Sequence, residues 1–348
     1  MQQRTELGSL ADPQAAQYLA PCGVEGYSSE ELLGFLRSMH LIRRVEEQIG
    51  TWVTDKVARC PCHLGIGQEA VATGIAHALR ATDRLFGNHR SHAHYLAVGG
   101  DVYELLAEVL GRVDGCSQGM GGSMHLISRE HGFYGSVPIV GGTIPIAVGA
   151  ALAAKLDGGD SIAVAYFGDG ACEEGVLHES LNLAAIYELP VLFVCENNQF
   201  SSHLDISLRQ PSDRVSRYAE AHRMTTVVID GNDVTTVANS AAQVIGDMRR
   251  TRKPAFMEAI TYRWRGHVGA NEDIDVGVRR RLSDVAAWKQ RDPIRRLENA
   301  LLANKLADES RLRALRAETD AAVNGHAEAA LRAPFPQAPA LMDLVYAR

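Results

Sequence analysis

Ile162-Ala163-Val164-Ala165-Tyr166-Phe167, followed at once by Gly168-Asp169-Gly170-Ala171, is the most informative stretch of this 348-residue chain. An unbroken apolar run of this length, rich in β-formers, predicts a strand buried on both faces. A helix is predicted next, from about 174 to 187. Pro190 ends the connection, and Val191 to Cys195 repeats the buried-strand pattern. Two more alternations follow: helix 213–222 with strand 225–229, then helix 234–248 with strand 255–263. Strands alternating with helices imply βαβ units, hence an α/β fold with a doubly wound parallel sheet.

Working outward, helical spacing predicts helices over 29–49, 68–79 and 102–110, and an Ala/Gly-rich buried helix over 143–154. Ser28 or Ser29 can cap the first of these, with Glu30 and Glu31 in its first turn. Residues 1–27 lack periodicity and read as an arm or disordered lead-in. Residues 28–283 then form the ligand-binding domain, and 284–348 a charged helical extension.

Hydrophobic residues make up 46% and charged residues 22%, which excludes a mostly disordered or fibrous chain. A net charge of −7 argues against a general nucleic-acid or anionic-membrane binder. The basic runs Arg249-Arg250-Thr251-Arg252-Lys253 and Arg279-Arg280-Arg281 read as solvated faces. No stretch approaches the roughly 18 apolar residues of a membrane span, and no secretory h-region is visible, so a cytoplasmic location is expected. The six cysteines are expected to be reduced thiols. Cys60-Pro61-Cys62-His63 invites a zinc reading, yet no second ligand pair follows at finger spacing.

In a doubly wound sheet, ligands bind beyond the carboxyl ends of the strands. Gly168-Asp169-Gly170 sits at such an end. Its glycines allow close backbone approach to a phosphate, but Asp169 would face that phosphate with a second negative charge. A divalent cation resolves the conflict, because Mg²⁺ binds protein oxygens and phosphate oxygens together. The next strand ends in Glu196-Asn197-Asn198-Gln199-Phe200, which can add an amide oxygen and a main-chain carbonyl. Taken singly, Asp169 can be a helix cap and Asn198 a turn residue. At the tips of successive strands they point to a metal–diphosphate site.

Gly168-Asp169-Gly170, then residues 171–196, then Asn197-Asn198, resembles the thiamine-diphosphate motif. Further segments stand in family order: His63-Leu64, Gly67-Gln68-Glu69-Ala70, Asn88-His89-Arg90-Ser91-His92, Gly121-Gly122-Ser123-Met124-His125 and Tyr262-Arg263-Trp264-Arg265-Gly266-His267. The chain is similar, from about Leu32 to Pro293, to the alpha subunit of the decarboxylating component of 2-oxo acid dehydrogenase complexes, of pyruvate, branched-chain or acetoin type. The resemblance implies a thiamine-diphosphate-binding fold with Mg²⁺ held by Asp169, Asn198 and the Phe200 main-chain oxygen. It implies that Gly168, Gly170 and Ala171 face the diphosphate, that Arg90 clamps the phosphates, and that Val140 props the bent cofactor. His267 would be an active-site histidine near the diphosphate and His63 one near the reacting carbon. His89 replaces a family tyrosine, and either binds phosphate or packs. His92 and His125 are weaker candidates for proton transfer.

The family also needs a glutamate from a separate pyrimidine-binding domain. Only one doubly wound domain is legible here, so the resemblance implies a beta subunit (α₂β₂) and a lipoyl-bearing acyltransferase. The product of a 2-oxo acid would be an acyl group passed to the lipoyl carrier. A split carboligase or transketolase-like enzyme keeps the same cofactor, and a non-catalytic paralogue keeps only the fold. A nicotinamide dehydrogenase fits poorly, because Asp169 occupies the phosphate turn. Two departures stand out. Glu173-Glu174 replace a common Asn-Gln and would place acidic groups beside the substrate. Residues 268–280 carry no serine, so phosphorylation of this loop, as in animal members, is not expected. Two Gly-rich decoys remain: Gly65-Ile66-Gly67-Gln68-Glu69-Ala70 has no strand before it, and Gly119 to Gly122 is read as a turn over the site.

Overall fold

The computed structural model describes residues 6–272 and 280–343. Six parallel strands form one sheet: β1 (Arg84–Gly87), β2 (Phe133–Ser136), β3 (Ala163–Gly168), β4 (Val191–Asn197), β7 (Thr225–Asp230) and β8 (Ala255–Ile260), ordered β2-β1-β3-β4-β8-β7. Two short strands, β5 (Phe200–Ser201) and β6 (Leu204–Asp205), make a separate hairpin.

The continuous apolar runs are explained by a helical layer on each face. Along β3, Val164 and Tyr166 enter one core while Ala163, Ala165 and Phe167 enter the other. The second core is closed by α5 (Thr143–Leu156) and α6 (Gly175–Ile186), through Ile144, Ala147, Val148, Leu177 and Leu181. The first is closed by α1 (Ser29–Thr54), α2 (Glu69–His77), α3 (His92–Ala97), α4 (Val102–Val109) and α8 (Val234–Thr251). Helix α7 (Arg217–Ala221) is shorter than the predicted 213–222. Each fully buried Leu, Val or Phe contributes about 1.5–3 kcal/mol, so these two shared cores dominate the local preferences of single elements.

Helix α1 starts in a capping box: the Glu31 amide donates to Ser28 Oγ at 3.2 Å, and the Ser28 amide to Glu31 Oε2 at 2.8 Å. Its stripe of Leu32, Leu36, Met39, Ile42, Val45 and Ile49 is fully buried. After α9 (Leu282–Trp288), α10 (Pro293–Ala303) and α11 (Glu309–Arg332) pack on α1 through Ile294, Leu297, Leu301, Leu312 and Leu315, and α12 (Ala340–Asp343) ends the described chain.

Three expectations are corrected. The N-terminal arm is not a loose lead-in: from Glu6 it forms short 3-10 turns, and Arg291 and Arg296 donate to the carbonyls of Leu10 and Ala20 at 2.8 Å each. The basic run at 249–253 is not all solvated. Arg249 pairs with the buried Asp83 at 2.6 Å, tying α8 to the loop before β1. The Gly119–Gly122 loop does not cover the site. It wraps the buried Glu108 carboxylate, which accepts N–H groups from Ser117, Gly119, Gly121 and Gly122 at 2.7–3.0 Å.

Candidate active site

The order in which strands are added reverses between β1 and β3: β1 leads outward to β2 on one side, and β3 leads to β4 on the other. Such a switch point opens a crevice at the carboxyl ends. A cavity of about 360 Å³ lies there, lined by the segments after β1, β3 and β4.

Eleven of the thirteen residues singled out as candidates line this one cavity, all but His92 and His125. After β3 come Gly168, Asp169, Gly170 and Ala171. They form a 3-10 turn, Asp169–Glu173, rather than opening the α-helix directly. Gly170 is required by packing, since a Cβ there would lie 2.5 Å from Ser201 Oγ. A Cβ on Gly168 would meet nothing closer than the Glu196 carbonyl at 4.0 Å, so its absence leaves room at the cavity wall. After β4, Asn198 lies in a tight turn whose Gln199 has φ 67°, and its Oδ1 accepts the Phe200 amide at 3.2 Å. Asn197 is the anchor of this turn, donating to the Asp213 carbonyl at 3.0 Å and to Glu258 at 2.8 Å.

Asp169 is 1% exposed and does not act as a helix cap. Its Oδ2 is paired with the Arg209 guanidinium, while its Oδ1 is buried with no protein partner. Burial raises its carboxyl above the usual range, and Arg209 opposes that rise. The unpartnered Oδ1, the Asn198 amide and the Phe200 main chain supply an oxygen-rich set with a single carboxylate. Among the described residues no group of three His, Cys, Asp or Glu could hold a metal. That donor chemistry fits a hard cation shared with phosphate oxygens and does not suit zinc.

Three imidazoles cluster on the opposite wall. The His63 ring lies 4.7 Å from that of His89 and 4.9 Å from that of His267. The Arg90 guanidinium is buried among them, donating to the Leu64 carbonyl at 2.5 Å and to that of His267 at 3.2 Å. Burial, then the Arg90 charge, push His63 and His267 down to about 3 and His89 to about 2. Burial also lowers Arg90 to about 10, and burial with Arg90 lowers the neighbouring Arg263 to about 8. Burial is the first cause of every shift here and cationic neighbours add to it, a combination suited to an anion.

Val140 and Ile139 stand at the rim, 48% and 72% exposed. His92 is withdrawn from the cavity into a buried relay, Glu46–His92–Ser123, at 3.2 and 2.8 Å. His125 is exposed and lies outside it. Neither acidic residue of Glu173-Glu174 lines the cavity; Glu173 pairs with Arg209 and accepts Gln210 at 2.9 Å. Of the loop after His267, residues 273–279 fall outside the described residues.

The sequence reading missed Arg209, Tyr166 and Glu196. Tyr166 and Glu196 line the floor, with His94 stacked on Tyr166 (3.9 Å) and 3.2 Å from Glu196. A tyrosine and a glutamate inside otherwise apolar strands were the available signal. Arg209 lies in a segment with no motif.

The sequence profile of the family "Dehydrogenase E1 component" matches residues 37–339. The chain is 34% identical over 321 residues to the mitochondrial "Pyruvate dehydrogenase E1 component subunit alpha-1" of Arabidopsis thaliana, covering 92% of this chain and 81% of that one. It is 35% identical over 273 residues to the "Pyruvate dehydrogenase E1 component subunit alpha" of Rhizobium meliloti (78% and 75% covered). The same-named protein of Rickettsia typhi is 33% identical over 317 residues, with 91% and 96% covered. With the switch-point cavity and its motifs in place, the chain belongs to the dehydrogenase E1 component family, as an alpha-type subunit of a 2-oxo acid dehydrogenase.

Proposed function

We propose that this chain binds thiamine diphosphate with Mg²⁺ in the switch-point cavity. Joined to a beta-type chain, it decarboxylates a 2-oxo acid, pyruvate being the first candidate, and passes the acyl group to a lipoyl carrier. The observation that carries this reading is the convergence of these eleven residues on one cavity that combines a single buried carboxylate with an anion-seeking wall.

Asp169 through its unpartnered Oδ1, Asn198 through its amide oxygen and Phe200 through its carbonyl would hold the cation. Gly168 keeps the wall free of a side chain where a diphosphate approaches, and Gly170 lets the turn pack against Ser201. Arg90 and His267 meet its charge from the other side. When bound, the cofactor supplies the acidic carbon and the electron sink for decarboxylation. His63, whose Nδ1 is buried without a partner, is placed to hold or move a proton at that atom.

A partner chain is supported by the surface beside the rim. Ile146, Leu152 and Leu156 of α5 and Leu183, Ile186 and Tyr187 at α6 are 38–78% exposed, and Lys155 joins the two helices by donating to the Tyr187 carbonyl at 2.7 Å. An apolar face of this kind, together with the exposed Ile139 and Val140, suits burial by a second subunit. A cytoplasmic location is kept as part of the proposal; plant relatives are named mitochondrial or chloroplastic. No helix among the described residues is long and apolar enough to cross a membrane.

The test is to assemble the chain with a beta-type partner and to supply pyruvate, thiamine diphosphate, Mg²⁺ and a lipoyl domain. Acylated lipoyl domain is expected. Carbon–carbon bond formation with an aldehyde, and no acylated lipoyl domain, would contradict the dehydrogenase reading.

A further inference from the structure

The Cys60-Pro61-Cys62 turn separates two cavities and has no part in the reading above. The two sulfurs face each other at 3.8 Å. Cys62 is buried, whereas Cys60 is half-buried and lines a second cavity of about 600 Å³ together with Lys56, Arg59 and Arg112. On its other side the turn meets the candidate active site: Pro61 and His63 line that cavity. The Cys62 carbonyl also accepts the Gly269 amide at 2.8 Å, two residues past His267. Cys172 and Cys195 form a second close pair at 3.9 Å, but both are sealed in the sheet core. The chain therefore contains an accessible and an inaccessible version of the same sulfur pair.

We propose that Cys60 and Cys62 are a peroxide-responsive dithiol, and that their oxidation to an intrachain disulfide displaces His63. Geometry is joined by reactivity. The Cys62 hydrogen bond first, then the Ser123 amide and the His92 charge, hold the Cys60 thiol below its ordinary range, so Cys60 supplies the thiolate. Cys62 shifts the opposite way, mainly because its proton is shared with Cys60. The Cys60 thiolate attacks a hydroperoxide oxygen: an S–O bond forms, the O–O bond breaks, and hydroxide or alkoxide leaves and takes up a proton. The sulfenic acid at Cys60 is then attacked by the Cys62 sulfur. The S–S bond forms, the S–O bond breaks, and water leaves with the Cys62 proton. A disulfide requires about 2.05 Å between sulfurs, so the pair must close by about 1.8 Å. With φ fixed at Pro61, that movement falls on the turn, on His63 and on the Gly269 hydrogen bond.

The effect at His63 rests on the proposed function; the thiol chemistry does not, and the experiment reads the two apart. The full chain is treated with hydrogen peroxide, alkylated while folded, and mapped by peptide mass spectrometry. A two-hydrogen mass loss on the peptide carrying Cys60 and Cys62 is expected, reversed by dithiothreitol, while Cys172 and Cys195 stay reduced. Cys62→Ser should stop at a sulfenic acid that dimedone traps on Cys60, and Cys60→Ser should give neither product. Cys60 and Cys62 reacting no faster than Cys172 and Cys195, or no trapped sulfenic acid, would overturn the proposal. In the assembled enzyme, peroxide should lower turnover several-fold, reversibly, and Cys60→Ser should resist it. A disulfide that forms without any change in turnover would overturn the link to His63.

Discussion

Replacing Arg209 by Gln should move two properties in opposite directions. The Arg209 side chain is 5% exposed and pairs with both Asp169 and Glu173. It does not line the cavity. It therefore competes with a cation for Asp169 rather than touching a bound diphosphate. A cation on Oδ1 must share the carboxylate with the Arg209 charge on Oδ2, whose charged hydrogen bond is worth about 1.5–3 kcal/mol. Arg209→Gln removes that competing charge, and Mg²⁺-dependent binding of pyrophosphate should tighten, by at most roughly 150-fold if the whole of that bond is given up on loading. The metal-free chain should be destabilised at the same time, because Asp169 becomes an unpaired buried charge at a cost of about 3–5 kcal/mol. The loss at Glu173 is small, because its side chain is 33% exposed. Isothermal calorimetry reads the first quantity, and urea unfolding without metal reads the second. Weaker Mg²⁺-dependent binding in the variant would refute the reasoning, since Arg209 would then be a ligand of the diphosphate.

Binding of a diphosphate should take up protons at pH 7. His63, His89 and His267 are held at about 2–3 in the free chain, hence neutral, and a polyanion raises them toward their ordinary values. Affinity should accordingly rise as pH falls from 7; calorimetry in buffers of different ionisation enthalpy measures the sign, and net proton release would contradict it. Glu108→Ala leaves four loop amides without their carboxylate, and should lower stability in urea by about 3–5 kcal/mol; a loss below about 1 kcal/mol would show that water replaces the carboxylate without penalty. Gly67→Ala should also destabilise the chain, because Gly67 has φ 99° and its Cβ would lie 2.5 Å from the Trp264 ring; wild-type stability in urea would contradict that packing.

The long buried strands and helices were legible because their patterns extend over many residues. Val164 to Phe167 and Val191 to Cys195 read as continuous apolar runs because each face meets its own core. The strands β1 and β2 were not legible. Each has four residues and carries a glycine, and β1 begins with an arginine; their strand state comes from pairing, β1 with β3 and β2 with β1. The candidate site was legible where spacing is local, as in Gly168-Asp169-Gly170 and Asn197-Asn198. Arg209 was not, because its partners lie 36 and 40 positions away and its own segment has no periodicity. The Gly119–Gly122 loop misled for a related reason. Glycine-rich composition signals close approach by something, and here the approaching group is the Glu108 carboxylate.

The central claim is that Asp169 and its neighbours hold a metal-bridged diphosphate. It is tested by titrating thiamine diphosphate into the chain assembled with a beta-type partner, with and without Mg²⁺, in wild type and in Asp169→Ala. Binding that requires Mg²⁺ in the wild type and is lost in a folded Asp169→Ala assembly is the predicted result. Equal affinity in the two proteins, or binding indifferent to Mg²⁺, would contradict the account.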